Sequence, residues 1–435
     1  MGGERSSVGD WPRIHRFEGI TVAPFTELME LYLGRSDHRG GPLFPNWESA
    51  APVRFHRRGV PFDAEPEQVP PEAEAPPGAY YWIGPVLDHF GHLVTDFTTR
   101  IVPALATDPT AILVFAGHRD RGPKTVAESP AVFRALLDWH GVAPERVRLL
   151  DRPTRFAVLH VPEQPEQDGI DPRVAPDPAY LDALTARAAE RLGRPAGAGT
   201  LYVSRGGLAA RFAGEGYLEA AMTRAGAQVL RPETLPLREQ LAAYAAAETM
   251  VFAEGSAVHG LQLLGRGLGR VAMLRRRAMQ PIAMYNLPPR VAGFDALDTN
   301  RITVTGLMGD GVYAHWKGLS ILRPDRLLEG LAALGLDLRP HWDPNAFAEA
   351  EAADLDAWIR AEAPALLAAH SGSRKVLLGA LRRSGLASAE GAARTLLALD
   401  AARSPLPQPA ARTLSALRLG FFQGVRGAER ALGRH

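Results

Sequence analysis

The sequence contains no cysteine. That absence excludes disulfides, thiolate nucleophiles and cysteine-based zinc sites together. A dominant charge is also missing: 49 Lys and Arg face 48 Asp and Glu, for a net +1. There is thus no global electrostatic basis for binding nucleic acid. No stretch approaches the roughly 20 apolar residues of a membrane span. The opening MGGERSSVGDWPRIHRFEG has no apolar core of signal-peptide length. Together these readings predict a cytoplasmic protein. What is present, 46% hydrophobic and 22% charged residues over 435 positions, is the composition of a globular chain. The length exceeds one ordinary core, so two domains with appendages are expected.

Residues 1–60 mix short apolar runs with turn residues and show no clear period. Residues 61–78, rich in proline and acid, read as an exposed loop. From Ala79 the pattern turns α/β. YYWIGPV predicts a strand, HFGHLVTDFTTRIVPAL an amphipathic helix, AILVFAG a buried strand, AVFRALLDWHG a helix, and VRLLD and RFAVLHVPE further strands. A Pro- and Asp-rich stretch at 162–178 reads as a domain junction. Beyond a helix at about 179–193, the chain alternates regularly: strand LYVSR, helix YLEAAMTRAG, strand QVLRP, helix LREQLAAYAAA, strand TMVFAEG, helix AVHGLQLLG and strand RVAMLRR. Strands separated by helices of about ten residues imply a parallel sheet. RITVTG and SILRPDRLLEGLAALGL are expected to complete that domain. The expected architecture is two Rossmann-like α/β halves facing a cleft. Its boundaries are an N-terminal domain at 1–178, a second at 179–340, and a helical extension at 341–435.

The stretch from Ser371 to His435 holds eleven Lys and Arg against three acidic residues, a net +8 that leaves the remainder near −7. Its apolar residues fall at helical spacing with arginines between. These helices either pack on the body or form a basic amphipathic anchor for an anionic membrane surface.

Residues 200–265 carry the chemistry. An apolar strand delivers Ser204 and Arg205, Arg211 follows at loop distance, and Glu215 opens a helix. A later strand turns on Glu254-Gly255-Ser256 ahead of His259. Strand ends that feed helix N-termini are where α/β proteins hold phosphates, because free N–H groups and the helix dipole favour anions there. A guanidinium fork at such an end suits bidentate phosphate contact. Upstream, His92 and Asp96 are four residues apart and share a helix face, with His89 three before. An aspartate that orients a histidine fixes its tautomer and suits it to general-base work. The same residues also fit plain helix capping. Asp354-Leu355-Asp356 is the one Asp-x-Asp string, and it lies in an Ala-rich run that reads as a solvated helix face.

The block from Leu201 to Gly265 resembles glycosyltransferase family 61, the group that includes bacterial capsular-polysaccharide biosynthesis proteins. Five elements in order carry the likeness. They are the Ser204-Arg205 strand end with Arg211, Glu215 opening a helix, the Gly226–Glu233 strand, the Leu237–Gln240 helix, and Glu254-Gly255-Ser256-Ala257. Asp88 to His92 with Asp96 is similar to the family's Gly-His-Phe-x-x-Asp helix start, so the likeness runs from about Tyr80 to Asp325. Two departures stand out. Gly214 replaces a common Asn, and Glu254 with His259 stands where eukaryotic members place a His before Gly.

The resemblance implies a GT-B fold, a nucleotide-sugar donor on the C-terminal domain, a glycan or lipid-linked acceptor on the N-terminal domain, and inversion. It implies neither an obligatory metal nor a cofactor. On that reading Arg205, Arg211, Glu215, Glu254, Gly255, Ser256 and His259 bind the donor, while His92, Asp96 and His89 are catalytic. Two other classes remain open: an epimerase-like nucleotide-sugar enzyme on the same frame, and a non-catalytic relative that binds glycan or assembles a complex.

Overall fold

A computed structural model describes residues 11–28, 38–167, 175–193, 197, 199–278 and 282–402. The first sheet draws on β1 (Ile14–Glu27), β2 (Arg39–Pro42), β5 (Ala73–Glu74), β6 (Tyr80–Pro85), β7 (Ile112–Ala116), β8 (Val147–Leu150) and β9 (Thr154–Pro162). Its order is β2-β1-β9-β6-β7-β8 with β5 beside β9, and β3 (His56–Arg57) and β4 (Val60–Pro61) form a separate hairpin. β6, β7 and β8 run parallel, and β1 is antiparallel to β2 and β9. The 14-residue β1 has no legible period for two reasons. Gly19 breaks it with φ +61°, and Val22 to Phe25 are buried without alternation.

The helix expected between β6 and β7 is instead three pieces: α1 (Phe90–His92), a π-turn at Leu93–Phe97, and α2 (Ile101–Thr107). The amide and hydroxyl of Thr98 both donate to the Leu93 carbonyl, at 2.8 and 2.7 Å, which closes the wider turn and stops the helix. α3 (Ala131–Trp139) links β7 to β8, and α4 (Pro178–Leu192) leads into the second half.

The second sheet alternates as its sequence predicts through β10 (Thr200–Val203), α5 (Glu215–Arg224), β11 (Gln228–Leu230), α6 (Leu237–Ala246), β12 (Thr249–Ala253), a 3-10 helix at Ser256–Leu263 and β13 (Arg270–Leu274), and β14 (Phe294–Leu297), not expected from the sequence, adds a fifth strand. All five strands are parallel, in the order β11-β10-β12-β13-β14. The chain leaves β10 toward one edge and β12 toward the other. The crevice beyond their carboxyl ends is therefore a topological switch point, where open α/β sheets bind ligands.

Residues 300–322 depart from expectation. β15 (Asn300–Val304) and β16 (Leu319–Leu322) pair antiparallel with each other, and β16 bridges to Phe212 through Ser320, but neither extends the parallel sheet. α7 (Pro324–Ala333) buries Leu327 and Leu331 in one cluster with Ala272 and Leu274. α8 (Pro344–Ala369), α9 (Ser373–Ser384) and α10 (Ala389–Ala402) share a further core with β15 and β16, through Leu355, Trp358, Ile359, Leu377, Leu381 and Leu396. Through residue 402 the basic extension thus packs most of its apolar residues on the body, with Leu397 left exposed. Residues 403–435, the rest of the proposed anchor, lie outside the described residues. No helix among the described residues is long and apolar enough to cross a membrane. The largest apolar cluster is continuous between the sheets. It holds Trp82, Phe115 and Leu136 from the first half, and Val203, Tyr244, Phe252 and Leu261 from the second.

Candidate functional site

A cavity of about 490 Å³ opens where the halves meet. Phe90, Ala131, Val132 and Ala135 wall one side. Ser204, Arg205, Leu208, Glu233, Ser256 and Ala257, past the ends of β10, β11 and β12, wall the other.

Arg205 is one of its lining residues. Its Nε donates to the Ala210 carbonyl at 2.7 Å, and no carboxylate among the described residues forms an ion pair with it. Burial lowers its pKa, opposed by the charge of Glu215 and reinforced by that of Arg277. The side chain lies directly over Gly255. A Cβ at 255 would collide with Nη1 and stand 2.8 Å from Cζ, so the turn needs glycine for clearance. Its φ of −179° is open to any residue. Ser256 lines the cavity just beyond.

Two buried glutamates hold the arginine-bearing strand ends in place. Glu215 accepts from the Arg205 amide at 2.6 Å, the Phe212 amide at 2.9 Å, and the hydroxyls of Tyr202 and Ser204 at 3.1 Å each. Burial nevertheless raises its pKa. Glu254, fully buried, accepts from the Arg276 and Arg277 amides at 2.8 and 3.0 Å and pairs with Arg277 Nη2 at 3.2 Å. Both carboxylates are thus occupied by the chain itself, which makes them positioning groups for the anion site. Arg211 is committed as well. Its Nη2 meets Asp354 at 2.9 Å and Nη1 donates to the Leu208 carbonyl at 3.1 Å. Asp354 also accepts from the Gly214 amide at 2.9 Å. The expectation that Asp354 sits on a solvated face is corrected: it fastens α8 to the loop ahead of α5.

Arg276 and Arg277 were missed by the sequence reading. They follow β13 as Arg205 follows β10, and a cation past an apolar strand end was the available signal. Arg276 is buried, with its pKa lowered to about 9 by desolvation and then by the charges of Arg205 and Arg277. The Nε of Arg277 is buried with no hydrogen-bond partner. Three guanidinium groups thus repel one another at one end of the sheet, an arrangement that an anion relieves.

Across the crevice, His92 Nδ1 lies 3.0 Å from Asp96 Oδ2, and Arg57 Nη2 lies 2.6 Å from the same oxygen and 3.2 Å from His92 Nδ1. Arg57, on β3, had no signal in the sequence. Asp96 is fully buried, which pushes its pKa up. Hydrogen bonding to His92 and the charge of Arg57 outweigh that and leave it below the ordinary carboxylate range. His89 caps α1 by accepting from the His92 amide at 3.2 Å. Burial, then the charges of His92 and His259, lower its pKa to about 4. At neutral pH His89 therefore keeps its proton on Nε2 and acts as a donor, which sets it apart from a general base.

The rings of His89 and His92 are 4.5 Å apart between centroids. Gly91 lets this group meet the second half: a Cβ there would stand 3.2 Å from His259 Cδ2 and 3.3 Å from both His89 Cε1 and Ser256 Cβ. His259 itself lies 2.6 Å, Nδ1 to Oε1, from Gln262. Gln262 Nε2 donates to Glu166 at 2.8 Å, and Glu166 pairs with buried Arg290 at 2.7 Å. His259 therefore belongs to a buried network that joins the halves. Among the described residues no three His, Asp or Glu side chains are grouped to hold a metal ion.

These features define an α/β protein whose two sheets meet at a switch-point crevice, with unpaired cationic charge on one wall and a histidine–aspartate pair behind the other. The pattern of the family described as Glycosyltransferase 61 matches residues 90–269, from α1 to the turn before β13. Over those residues the chain is similar to glycosyltransferase family 61. That span takes in His92, Asp96, Arg205, Glu215, Gly255 and Ser256, and leaves out Arg57, Arg276 and Arg277. No curated protein matches the chain.

Proposed function

We propose that this protein is a glycosyltransferase that moves a sugar from a nucleotide sugar to a hydroxyl of a glycan or lipid-linked glycan, with inversion, in surface polysaccharide synthesis. The arrangement is GT-B-like, with the donor on the half that carries β10–β14 and the acceptor on the half that carries β6–β9. The diphosphate is held by Arg205, Arg277 and the amides after Gly255, with no metal in that role.

One observation carries this reading. Arg205 lines the cavity at the switch point without an ion-pair partner among the described residues, its Nε donating to the Ala210 carbonyl and its backbone amide to Glu215. Preorganised cations of this kind stabilise the charge that grows on a departing diphosphate. In the transfer, the acceptor oxygen bonds to the anomeric carbon as that carbon's bond to the diphosphate oxygen breaks, and the electron pair leaves with the diphosphate. The acceptor proton passes to His92 Nε2. With Nδ1–H donating to Asp96, that nitrogen keeps its lone pair, and Asp96 stabilises the imidazolium that forms.

The test is thermal stabilisation by UDP, GDP, ADP and CDP and their sugar conjugates, with and without EDTA, for the wild type and Arg205→Ala. The expected result is stabilisation by one nucleotide class, insensitive to chelator and lost in Arg205→Ala. Stabilisation that EDTA removes, or that survives Arg205→Ala unchanged, overturns the reading.

A further inference from the structure

The crevice holds one more charged group. Glu233 lies on the turn Pro232–Thr234, just past β11, and lines the cavity with Arg205. Its carboxylate has no hydrogen bond or ion pair with any of the described residues. The neighbouring cation does not serve it, because Arg231 is paired to Glu219, Nε to Oε1 at 2.8 Å. The turn is fixed from below: Gln240 Nε2 donates to the carbonyls of Pro232 and Leu235, both at 2.8 Å. Gly207 leaves room above it, since a Cβ there would collide with Glu233 Oε1. The chain thus holds an acceptor-only group in a cavity that the apolar Leu208, Leu235 and Pro236 also line.

Position supplies the chemistry. β11 is the direct neighbour of β10, with Val203 opposite Leu230, so Glu233 stands about one strand spacing, roughly 4.8 Å, to the side of the Arg205 strand end. An anion held at Arg205 has its covalent neighbour at that distance. In a nucleoside diphosphate that neighbour is the ribose, whose 2′ and 3′ hydroxyls are both donors. A free carboxylate accepts both at once, and the apolar lining suits the flat base. In doubly wound sheets generally, an acid past the second strand takes the ribose diol when phosphate sits past the first. A carboxylate beside a phosphate site repels the ligand unless hydroxyl donors satisfy it, so its presence selects for them.

We propose that Glu233 is the group that reads the ribose diol of the donor nucleotide and so makes this site specific for ribonucleotides. This rests on the proposed binding of a nucleoside diphosphate at Arg205.

The test compares calorimetric dissociation constants for UDP, GDP, ADP and CDP with those of their 2′-deoxy counterparts, in the wild type, Glu233→Gln, Glu233→Ala and Arg205→Ala. For the nucleotide that binds, the wild type is expected to favour the ribo form by about 10-fold or more, as suits a hydrogen bond to a charged group. In Glu233→Ala the two forms should bind alike, and Glu233→Gln, which keeps one acceptor, should fall between. Because Glu233 is exposed, both variants should melt with the wild type. Arg205→Ala should weaken both forms equally. A wild type without ribo preference, or a Glu233→Ala that keeps it, overturns the inference, and loss of binding in Arg205→Ala then leaves the anion site standing. If no diphosphonucleoside binds the wild type, both fall.

Discussion

Replacing Gly255 by alanine perturbs the anion site without straining the backbone, because the φ of −179° suits any residue. The new methyl group would overlap Nη1 of Arg205 and crowd Cζ at 2.8 Å and Cδ at 3.1 Å, so the guanidinium has to swing away. That movement breaks the 2.7 Å bond from Nε to the Ala210 carbonyl. A hydrogen bond made by a charged group contributes about 1.5–3 kcal/mol, but a flexible arginine recovers part of it from water. The expected cost to folding is therefore only about 1–2 kcal/mol, or roughly 1–2 °C in Tm for a protein of this size. Binding should suffer more: losing a charged contact to a diphosphate weakens it about 10- to 100-fold. Differential scanning fluorimetry and titration calorimetry with the best-binding nucleoside diphosphate measure the two effects. Gly216→Ala is the control, since a Cβ there meets nothing within 4 Å and the position is helical. If Gly255→Ala binds the nucleotide as tightly as the Gly216→Ala control, Arg205 does not hold the anion.

Asp96→Asn should lower kcat by about 10²- to 10⁴-fold with little change in donor KM, because the imidazole of His92 loses the partner that fixes its tautomer. Unchanged kcat in a steady-state transfer assay would remove His92 and Asp96 from the chemistry. A pH effect on stability is expected at Glu351 on α8, where burial raises the pKa from 4.5 to about 7 against the opposing charge of Arg301. The folded protein then binds the proton more tightly than the unfolded chain. The protonated carboxyl is harmless below about pH 4.5, and stability is lost as pH rises from there to about 7. Glu351→Gln should therefore match the wild type in urea unfolding at pH 4 and exceed it at pH 8 by at most about 3 kcal/mol. A gap that does not change with pH would show that the raised pKa is wrong.

The second half was legible because its strands are buried on both faces and each is followed by an amphipathic helix, so run length and period agree. β1 was not, since a glycine with positive φ and two-sided burial erase alternation. The helix after β6 was read whole because apolar spacing runs straight through Thr98, whose local bonds to Leu93 end it. β15 and β16 read as sheet strands from their β-branched residues, but period alone does not choose a partner strand. In the site, Arg205 and the Gly255 turn were legible from strand-end logic, and His92–Asp96 from their spacing. The commitments of Glu215, Glu254 and Arg211 were not, because each partner is brought in by the fold: Arg277 lies 23 residues after Glu254, and Asp354 lies 143 after Arg211. Arg57 reaches Asp96 from a two-residue strand that composition gives no reason to notice.

The bond between Glu166 and Arg290 has a consequence for anyone tempted to treat the halves as interchangeable parts. Both side chains are wholly buried, and they come from opposite halves of the chain. A fragment ending near residue 180 would take the acid with it and leave the base stranded in a dry interior, at a penalty of about 3–5 kcal/mol for an uncompensated charge. Chimeras that graft this second half onto a foreign first half should therefore aggregate unless they import an acid at the same place.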